Sequence, residues 1–184
     1  MTEDDLPLLG EPLSVELVNT RYGQGDDQID FLGTPALAAL WLSASGTRST
    51  ADRIDVGALR GLRDRAHRVF CAVVGGEAPS PADVDGINAA SAGGRSHPVL
   101  VWSEAPQQVW VRAGSSTEVL LAQLSAEIIG FVAGPQRRLL RVCEGDGCTM
   151  FYVQHHHRRR FCHPSCSHRA RQAAYYRRQK ARLL

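Results

Sequence analysis

The sequence predicts an α+β protein that is predominantly helical and ends in a small cysteine-rich module. Four stretches between residues 34 and 135 carry apolar residues at helical spacing, bounded by capping residues and glycines. Two short alternating stretches between the third and fourth helices are typical of a β-hairpin. Four of the five cysteines lie within residues 143–166. With 184 residues, 43% of them hydrophobic, the chain can form one ordinary domain and a small appendage.

Capping residues mark the start of each predicted helix, and glycines mark its end. A hydroxyl or carboxylate side chain precedes each first turn, where it can accept a backbone N–H, and glycine permits the turn that follows the helix. The predicted spans, including these flanking residues, are 34–46, 55–76, 80–94 and 115–135. In the first helix, Leu37, Leu40 and Trp41 fall on one face and are expected in the core.

The second helix has the clearest apolar stripe. Its members are Leu59, Leu62, Ala66, Val69, Phe70 and Val73. Four charged residues off that stripe are expected to form a solvated face and not a binding site. They are Arg60, Arg63, Asp64 and Arg68. Cys71, which lies outside the C-terminal group of cysteines, falls in an apolar stretch and is expected to be a buried, unreactive thiol.

The remaining segments of the N-terminal part are shorter. Residues 98–102 and 108–111 predict the two strands of a hairpin, and this ribbon must pack on helices because two strands alone are marginally stable. Residues 12–20 fit a helix or a strand equally well. Residues 23–30 are polar and predict a loop.

Two close cysteine pairs, Cys143-x4-Cys148 and Cys162-x3-Cys166, are separated by thirteen residues. Each pair can reach round one side of a zinc ion, and together they complete a tetrahedron. We therefore expect one structural zinc ion held by Cys143, Cys148, Cys162 and Cys166, with no open position for water or substrate. Two alternatives stay open: a histidine ligand in place of one cysteine, with His163 the nearest candidate, or a redox segment of unliganded thiols.

Glycines and aromatic residues complete the predicted module. Gly145 and Gly147 allow a sharp backbone turn whose N–H groups can point at sulfur. Phe151, Tyr152 and Phe161 are expected to form a minimal core over the ion.

The charges are unevenly distributed along the chain. Residues 1–129 carry 9 Lys/Arg against 17 Asp/Glu, whereas residues 130–184 carry 12 against 2. Clustered arginine most often binds phosphate, and a predicted final helix over residues 167–182 interleaves arginine with tyrosine, which suits base or sugar stacking. We therefore expect a nucleic acid as the partner. The expected contacts are Arg158, Arg159, Arg160, Arg169, Arg171, Tyr175, Arg178 and Arg182.

Three other functions fit part of this pattern. The tail would also suit an RNA-binding or protein-docking zinc module. The basic helix would suit an acidic partner or a membrane surface, although it lacks a large apolar face. The N-terminal domain would be an enzyme if it held a polar pocket, with His67 and His97 as its histidines. The acidic N-terminal residues and the clustered cysteines predict a cytoplasmic protein without a membrane partner.

The chain resembles two known domain families. The C-terminal part resembles the CGNR zinc finger in its cysteine pairs, its Phe151-Tyr152 strand, the basic run and the arginine-rich helix. The Cys-Gly-Asn-Arg signature corresponds to Cys166-Ser167-His168-Arg169, in which the middle two residues differ. The N-terminal part is similar to the ABATE domain over residues 12–21, 58–63 and 79–88.

This resemblance implies a bacterial, stress-induced transcription regulator that binds DNA through its finger and has no catalytic activity. It implies an ABATE-like helical domain at residues 1–134, with a hairpin near 98–112, and a CGNR-like finger at 135–184. The N-terminal domain is then expected to sense a small-molecule effector or to mediate self-association as a homodimer.

Overall fold

Helices dominate the computed structural model, which describes residues 6, 8–47, 54–102 and 106–181. The helices are α1 Leu13–Asn19, α2 Pro35–Ala44, α3 Val56–Gly75, α4 Pro81–Gly93, α5 Ser116–Ala133 and α6 Pro164–Ala181. The strands are β1 Arg21–Tyr22, β2 Ile29–Asp30, β3 Arg95–Trp102, β4 Pro106–Ala113, β5 Leu140–Val142 and β6 Phe151–Val153. The strands pair in chain order as three antiparallel two-stranded sheets. The predicted fold class, α+β and predominantly helical, is confirmed.

The predicted starts of α2, α3 and α5 are confirmed by capping contacts. The Thr34 hydroxyl accepts the N–H of Leu37 at 3.3 Å, and the Asp55 carboxylate accepts the N–H of Ala58 at 3.1 Å. Ser115 and Glu118 form a reciprocal capping box at the start of α5. These contacts satisfy N–H groups that have no partner within the helix, which fixes where each helix begins.

The core face of α2 differs from the prediction. Ala38, Trp41 and Leu42 are buried, whereas Leu37 and Leu40 are only half-buried. Every residue from 36 to 42 is apolar, so helical spacing alone does not select one face of this helix.

The prediction that Arg63 lies on a solvated face was wrong, because this side chain is only 2% exposed. The predicted loop at 23–30 ends in β2, which pairs with β1 and places Asp30 beside α3. Arg63 donates hydrogen bonds to the carboxylates of Asp30 and Asp64. Burial opposes ionisation of Asp30, but the hydrogen bonds from Arg63 and from the N–H of Leu32, together with the charges of Arg63 and Arg21, lower the pKa of that carboxyl group.

Residues 12–20, which fit two structures, form helix α1, and this helix connects the two ends of the chain. The side-chain amide of Asn19 donates to the backbone carbonyl of Phe151 at 2.9 Å and accepts the N–H of Phe151 at 2.8 Å. The Phe151 ring packs edge-on against Phe70 of α3, with ring centroids 5.7 Å apart. Leu140 and Val153 are buried in the same core. The N-terminal helices and the β5–β6 hairpin therefore share one hydrophobic core.

The predicted hairpin is confirmed as β3 and β4, paired from Arg95↔Ala113 to Trp102↔Pro106. The expected packing on helices is limited to its base, where Gly94 lies against α5. Trp102 is 72% exposed and Trp110 is 54% exposed. The ribbon therefore extends away from the core and presents apolar side chains to solvent.

Helix α5 is long and apolar enough, by composition, to cross a membrane. Its buried residues Leu120, Leu124, Ile128 and Phe131 follow helical spacing and face the shared core. It packs against α1, α3 and α4. We therefore describe α5 as a core helix of this fold.

We predict that Asn19→Ala lowers the free energy of unfolding by about 2–4 kcal/mol, because the N–H and C=O of Phe151 lose their side-chain partner inside the core. Chemical denaturation of the full zinc-loaded chain measures this change. The matched control is Asn88→Ala, which alters an exposed asparagine on α4 and should change stability by no more than about 0.5 kcal/mol. Equal stabilities of the two variants would contradict a clamping role for Asn19.

Candidate metal centre

The β5–β6 hairpin and the first turn of α6 bring the four C-terminal cysteines together. Cys143 directly follows β5, and its N–H donates to the carbonyl of Met150 at 2.9 Å, which closes the loop that holds Cys148. Gly147 has a φ of 69°, a left-handed conformation that glycine adopts without strain. Cys162 lies two residues before the start of α6, and Cys166 lies in its first turn.

The sulfur spacing fits a tetrahedral zinc ion. The four Sγ atoms all lie within 4.8 Å of one another. The Sγ of Cys162 is 3.7 Å from that of Cys148 and 3.7 Å from that of Cys166. A tetrahedron with Zn–S bonds of about 2.3 Å has sulfur–sulfur edges of about 3.8 Å. Four thiolates fill the coordination sphere of zinc, so the ion is structural.

The histidines do not join this cluster. Within the part of the chain that the structure describes, the metal-binding group contains four cysteines and no histidine. His163, the nearest candidate, is exposed, and its Nδ1 lies 2.9 Å from the hydroxyl oxygen of Ser165. The donor set is therefore four sulfurs, which suits zinc.

Hydrogen-bond donors surround the sulfurs, as the two-glycine turn predicted. The N–H groups of Gly145 and Cys162 point at the Sγ of Cys143, at 3.4 and 3.3 Å. The guanidinium of Arg169 points at the Sγ of Cys166, at 3.2 Å. These donors partly offset the negative charge that four thiolates concentrate at one point.

The thiols influence one another's protonation. Hydrogen bonds from Cys148 and then Cys162 lower the pKa of Cys143, so that its thiolate forms first. The pKa values of Cys148 and Cys162 are raised, above all by their hydrogen bonds to Cys143. A divalent cation is what allows the remaining protons to leave, and zinc binding therefore releases protons.

Tyr152 and Met150 form the buried side of the centre, with Phe161 half-buried beside them. Phe151 was also expected over the metal but packs in the shared core instead. The reason is strand alternation, because neighbouring residues of β6 point to opposite faces. One strand thus serves the core and the metal centre at the same time.

Arg159, predicted to contact DNA, is half-buried, and its guanidinium binds groups of the protein itself. It pairs with Glu11 at 2.7 Å, donates to the carbonyl of Cys162 at 2.8 Å and lies 4.7 Å from the centre of the Tyr152 ring. Glu11 also accepts the N–H of Val153. Arg159 therefore ties the N-terminal segment to the loop that carries Cys162.

The other predicted contact residues divide into two groups. Arg169 faces the metal centre, and Arg160 pairs with Glu144 while remaining exposed. Arg158, Arg171, Tyr175 and Arg178 are exposed on the loop or on α6. Arg182 lies outside the described residues.

Sequence reasoning assigned no role at the site to Glu11 or Asn19, which join α1 and the segment before it to the metal-binding part. The available signal was a polar residue, Asn19, at the end of an apolar helical stretch. Such residues are buried only with partners, but the sequence does not identify the partner.

Cys71 and His67 lie one turn apart on α3 and contact each other. Cys71 is exposed, so the expectation of a buried thiol was wrong, and its Sγ lies 3.7 Å from Nδ1 of His67. His67 stacks edge-on against Phe151, and burial lowers its pKa. The side chain of His97 lies outside the described residues.

Two family models match the chain. Residues 11–135 match ABATE, described as "Putative stress-induced transcription regulator". Residues 139–179 match the CGNR zinc finger. No curated protein matches the chain. The ABATE match alone covers more than half of the sequence. The two matches together include all the elements of the shared core except the segment before Glu11.

We predict one zinc ion per purified chain and loss of that ion in Cys162→Ser, because the remaining three sulfurs cannot complete the tetrahedron. Zinc released on denaturation is measured with a colorimetric chelator. Cys71→Ser is the matched control and should keep its full zinc content. Zinc retained by the first variant, or lost from the second, would exclude the four-sulfur site.

We predict that Gly145→Ala weakens zinc binding roughly tenfold, about 1.4 kcal/mol. A Cβ at this position would lie 3.1 Å from the Cβ of Cys166 and 3.4 Å from the sulfurs of Cys143 and Cys166, so the ligands must shift. Competition with a chelator of known affinity measures the change. Gly61→Ala is the control, since its Cβ would meet nothing within 4 Å. Unchanged zinc affinity in Gly145→Ala would show that the cluster tolerates a wider spacing.

Proposed function

Since the chain belongs to the ABATE family and carries a CGNR zinc finger, we propose that it is a cytoplasmic transcription regulator that binds duplex DNA. Cys143, Cys148, Cys162 and Cys166 hold the zinc ion. The observation that carries the proposal is the attachment of an exposed arginine-rich helix, α6, directly to the metal centre through Cys166. The proposal assigns no catalytic role to the zinc ion, because four sulfurs leave it without an open position.

The charge of α6 supports a phosphate-bearing partner. The helix carries four arginines and one lysine in 18 residues and has no acidic residue. Arg171 donates to the Ser167 hydroxyl and Arg178 to the Ala174 carbonyl, so these guanidinium groups lie along the helix surface with donors left for a ligand. Neutralising several phosphates in this way supplies affinity for any nucleic acid.

The zinc ion gives this helix its orientation. The first turn of α6 holds Cys166, and the preceding loop is tied to the N-terminal segment by Arg159 and Glu11. Chelation should therefore release α6, while Arg159 still ties the preceding loop to Glu11 and Phe151 and Val153 keep the β5–β6 hairpin in the shared core. Zinc would contribute to binding by positioning charge, not by touching the nucleic acid.

A single-stranded RNA partner is the second candidate, and one observation favours it. Tyr175 is 56% exposed and Tyr176 is 70% exposed, and both are available to stack on unpaired bases. Competition between duplex DNA and single-stranded RNA of the same length, at one salt concentration, separates the two. Preferential displacement by RNA would replace the DNA proposal.

The N-terminal domain would sense an effector or mediate self-association. Because it shares its core with β5 and β6, a change in its packing can reach the metal-binding part without a hinge. The role of this domain is therefore to be tested in the full chain, since ending the chain at Pro135 would remove Leu140, Phe151 and Val153 from the core.

We predict that the double variant Arg171→Gln, Arg178→Gln weakens binding to duplex DNA of any sequence. Log affinity falls as log salt concentration rises, and the magnitude of this negative slope should decrease by about 2 because two phosphate contacts are lost. Fluorescence anisotropy of a labelled duplex over a salt series measures this slope.

The control for this prediction is Arg60→Gln, which removes an exposed arginine of α3, remote in sequence from the finger. It should leave both affinity and slope unchanged. A double variant with the wild-type slope would mean that α6 does not contact phosphate.

A further inference from the structure

The β3–β4 ribbon has large apolar side chains exposed on both of its faces. Val101, Val109 and Val111 share one face and are 41–43% exposed. Trp102 and Trp110 share the opposite face and are 72% and 54% exposed. Single exposed apolar residues are ordinary on protein surfaces, but a contiguous group of this size marks an interaction surface.

The outer edge of β4 is the open side of this ribbon. Among the described residues, the sheet contains only β3 and β4, so each strand has one unpaired edge. Helix α5 contacts β3, and Trp110 of β4 lines a cavity with Val119 and Ala122 of α5. Pro98 also interrupts the edge of β3, because proline has no N–H to donate. Beyond Pro106, β4 has no proline and can pair along its length.

The charge of the ribbon argues against a nucleic acid on this surface. The only formally charged residues within β3 and β4 are Arg95 and Arg112, which lie at the base of the ribbon. A phosphate-bearing or strongly acidic partner would require a larger group of cationic side chains, as on α6. The edge of β4 from Gln107 to Val111 is uncharged and instead complements an identical edge.

We propose that β4 pairs antiparallel with β4 of a second copy of this chain, across a twofold axis, to form a four-stranded sheet. An antiparallel pair of identical strands satisfies twofold symmetry, because each strand presents the same edge to the other. Pairing also stabilises the ribbon itself, since an isolated two-stranded hairpin is marginal in water. This inference stands whether or not the finger binds DNA.

Pairing of the two β4 edges would bring apolar side chains of the two copies together. Val109 and Val111 share one face of the ribbon and Trp110 lies on the other, so like side chains of the two copies would meet on both faces of the four-stranded sheet. These three residues are 42–54% exposed, and cross-strand pairs of aromatic and β-branched side chains stabilise a sheet.

Sedimentation equilibrium of the zinc-loaded full chain tests the proposal. Over a micromolar concentration range, the wild type should approach twice the monomer mass of 20.1 kDa. Val109→Lys combined with Val111→Lys should remain at the monomer mass, because like charges meet across the twofold axis. Zinc content and far-ultraviolet circular dichroism should stay at wild-type values, since neither residue lies in the core.

The matched control is Val84→Lys combined with Ile129→Lys. These residues are 37% exposed on α4 and α5, and the double change adds the same charge at a different apolar surface. This variant should dimerise like the wild type. The proposal is overturned by a monomeric wild type, by a dimeric Val109→Lys, Val111→Lys variant, or by a monomeric control, which would place the interface on α4 and α5.

Tryptophan fluorescence gives an independent measurement on the wild-type chain. Trp41 is fully buried and should not respond to association, whereas Trp110 of β4 loses water contact if the β4 edges pair. The emission maximum should shift to shorter wavelength as dimer forms, over the same concentration range as the change in mass. Dimerisation without this shift would exclude the ribbon as the interface.

Discussion

The side chain of Asn19 forms hydrogen bonds with both the N–H and the C=O of Phe151. These two bonds join the metal-binding part of the chain to the helical domain. A strand buried against helices needs partners for its N–H and C=O groups, and β6 obtains them from β5 on one edge and from Asn19 on the other. Phe151 can therefore enter the core between Phe70 and His67 without leaving an unpaired amide. The position of every zinc-binding sulfur relative to α1 and α3 follows from that attachment.

The β5–β6 hairpin beside the zinc site is held in place by core contacts that do not involve the ion. Small metal modules commonly depend on the ion for all of their folding free energy, because their own cores are too small. Here Leu140, Phe151 and Val153 belong to a larger core, so the β5–β6 hairpin has support that the metal does not supply. The ion instead decides the geometry of the loop after β6 and of the first turn of α6. That division makes the charged helix, and not the hairpin, the element whose orientation depends on zinc.

The arginines of the C-terminal part have different tasks although they look alike in sequence. Arg159 satisfies backbone carbonyls and pairs with Glu11, and Arg169 donates to a cysteine sulfur. Arg171 and Arg178 remain on the exposed surface of α6. A guanidinium group has five N–H donors, so it can either complete an internal network or present its donors to a phosphate. Burial and neighbouring acceptors decide between these uses. Cys162 and Cys166 are nearby in sequence, whereas Glu11 is brought to Arg159 by the fold.

The sequence alone determined the helices, the hairpin and the grouping of four cysteines, because each depends on local signals: helical spacing, capping side chains, glycine turns and short ligand spacings. It left residues 12–20 ambiguous, misjudged the burial of Arg63 and Cys71, and placed Phe151 over the metal instead of in the core. The tertiary structure decided these points, together with the roles of Glu11 and Asn19, since burial depends on which elements pack together. The contact between Asn19 and Phe151 spans 132 residues of sequence, and no local pattern encodes a partner at that distance.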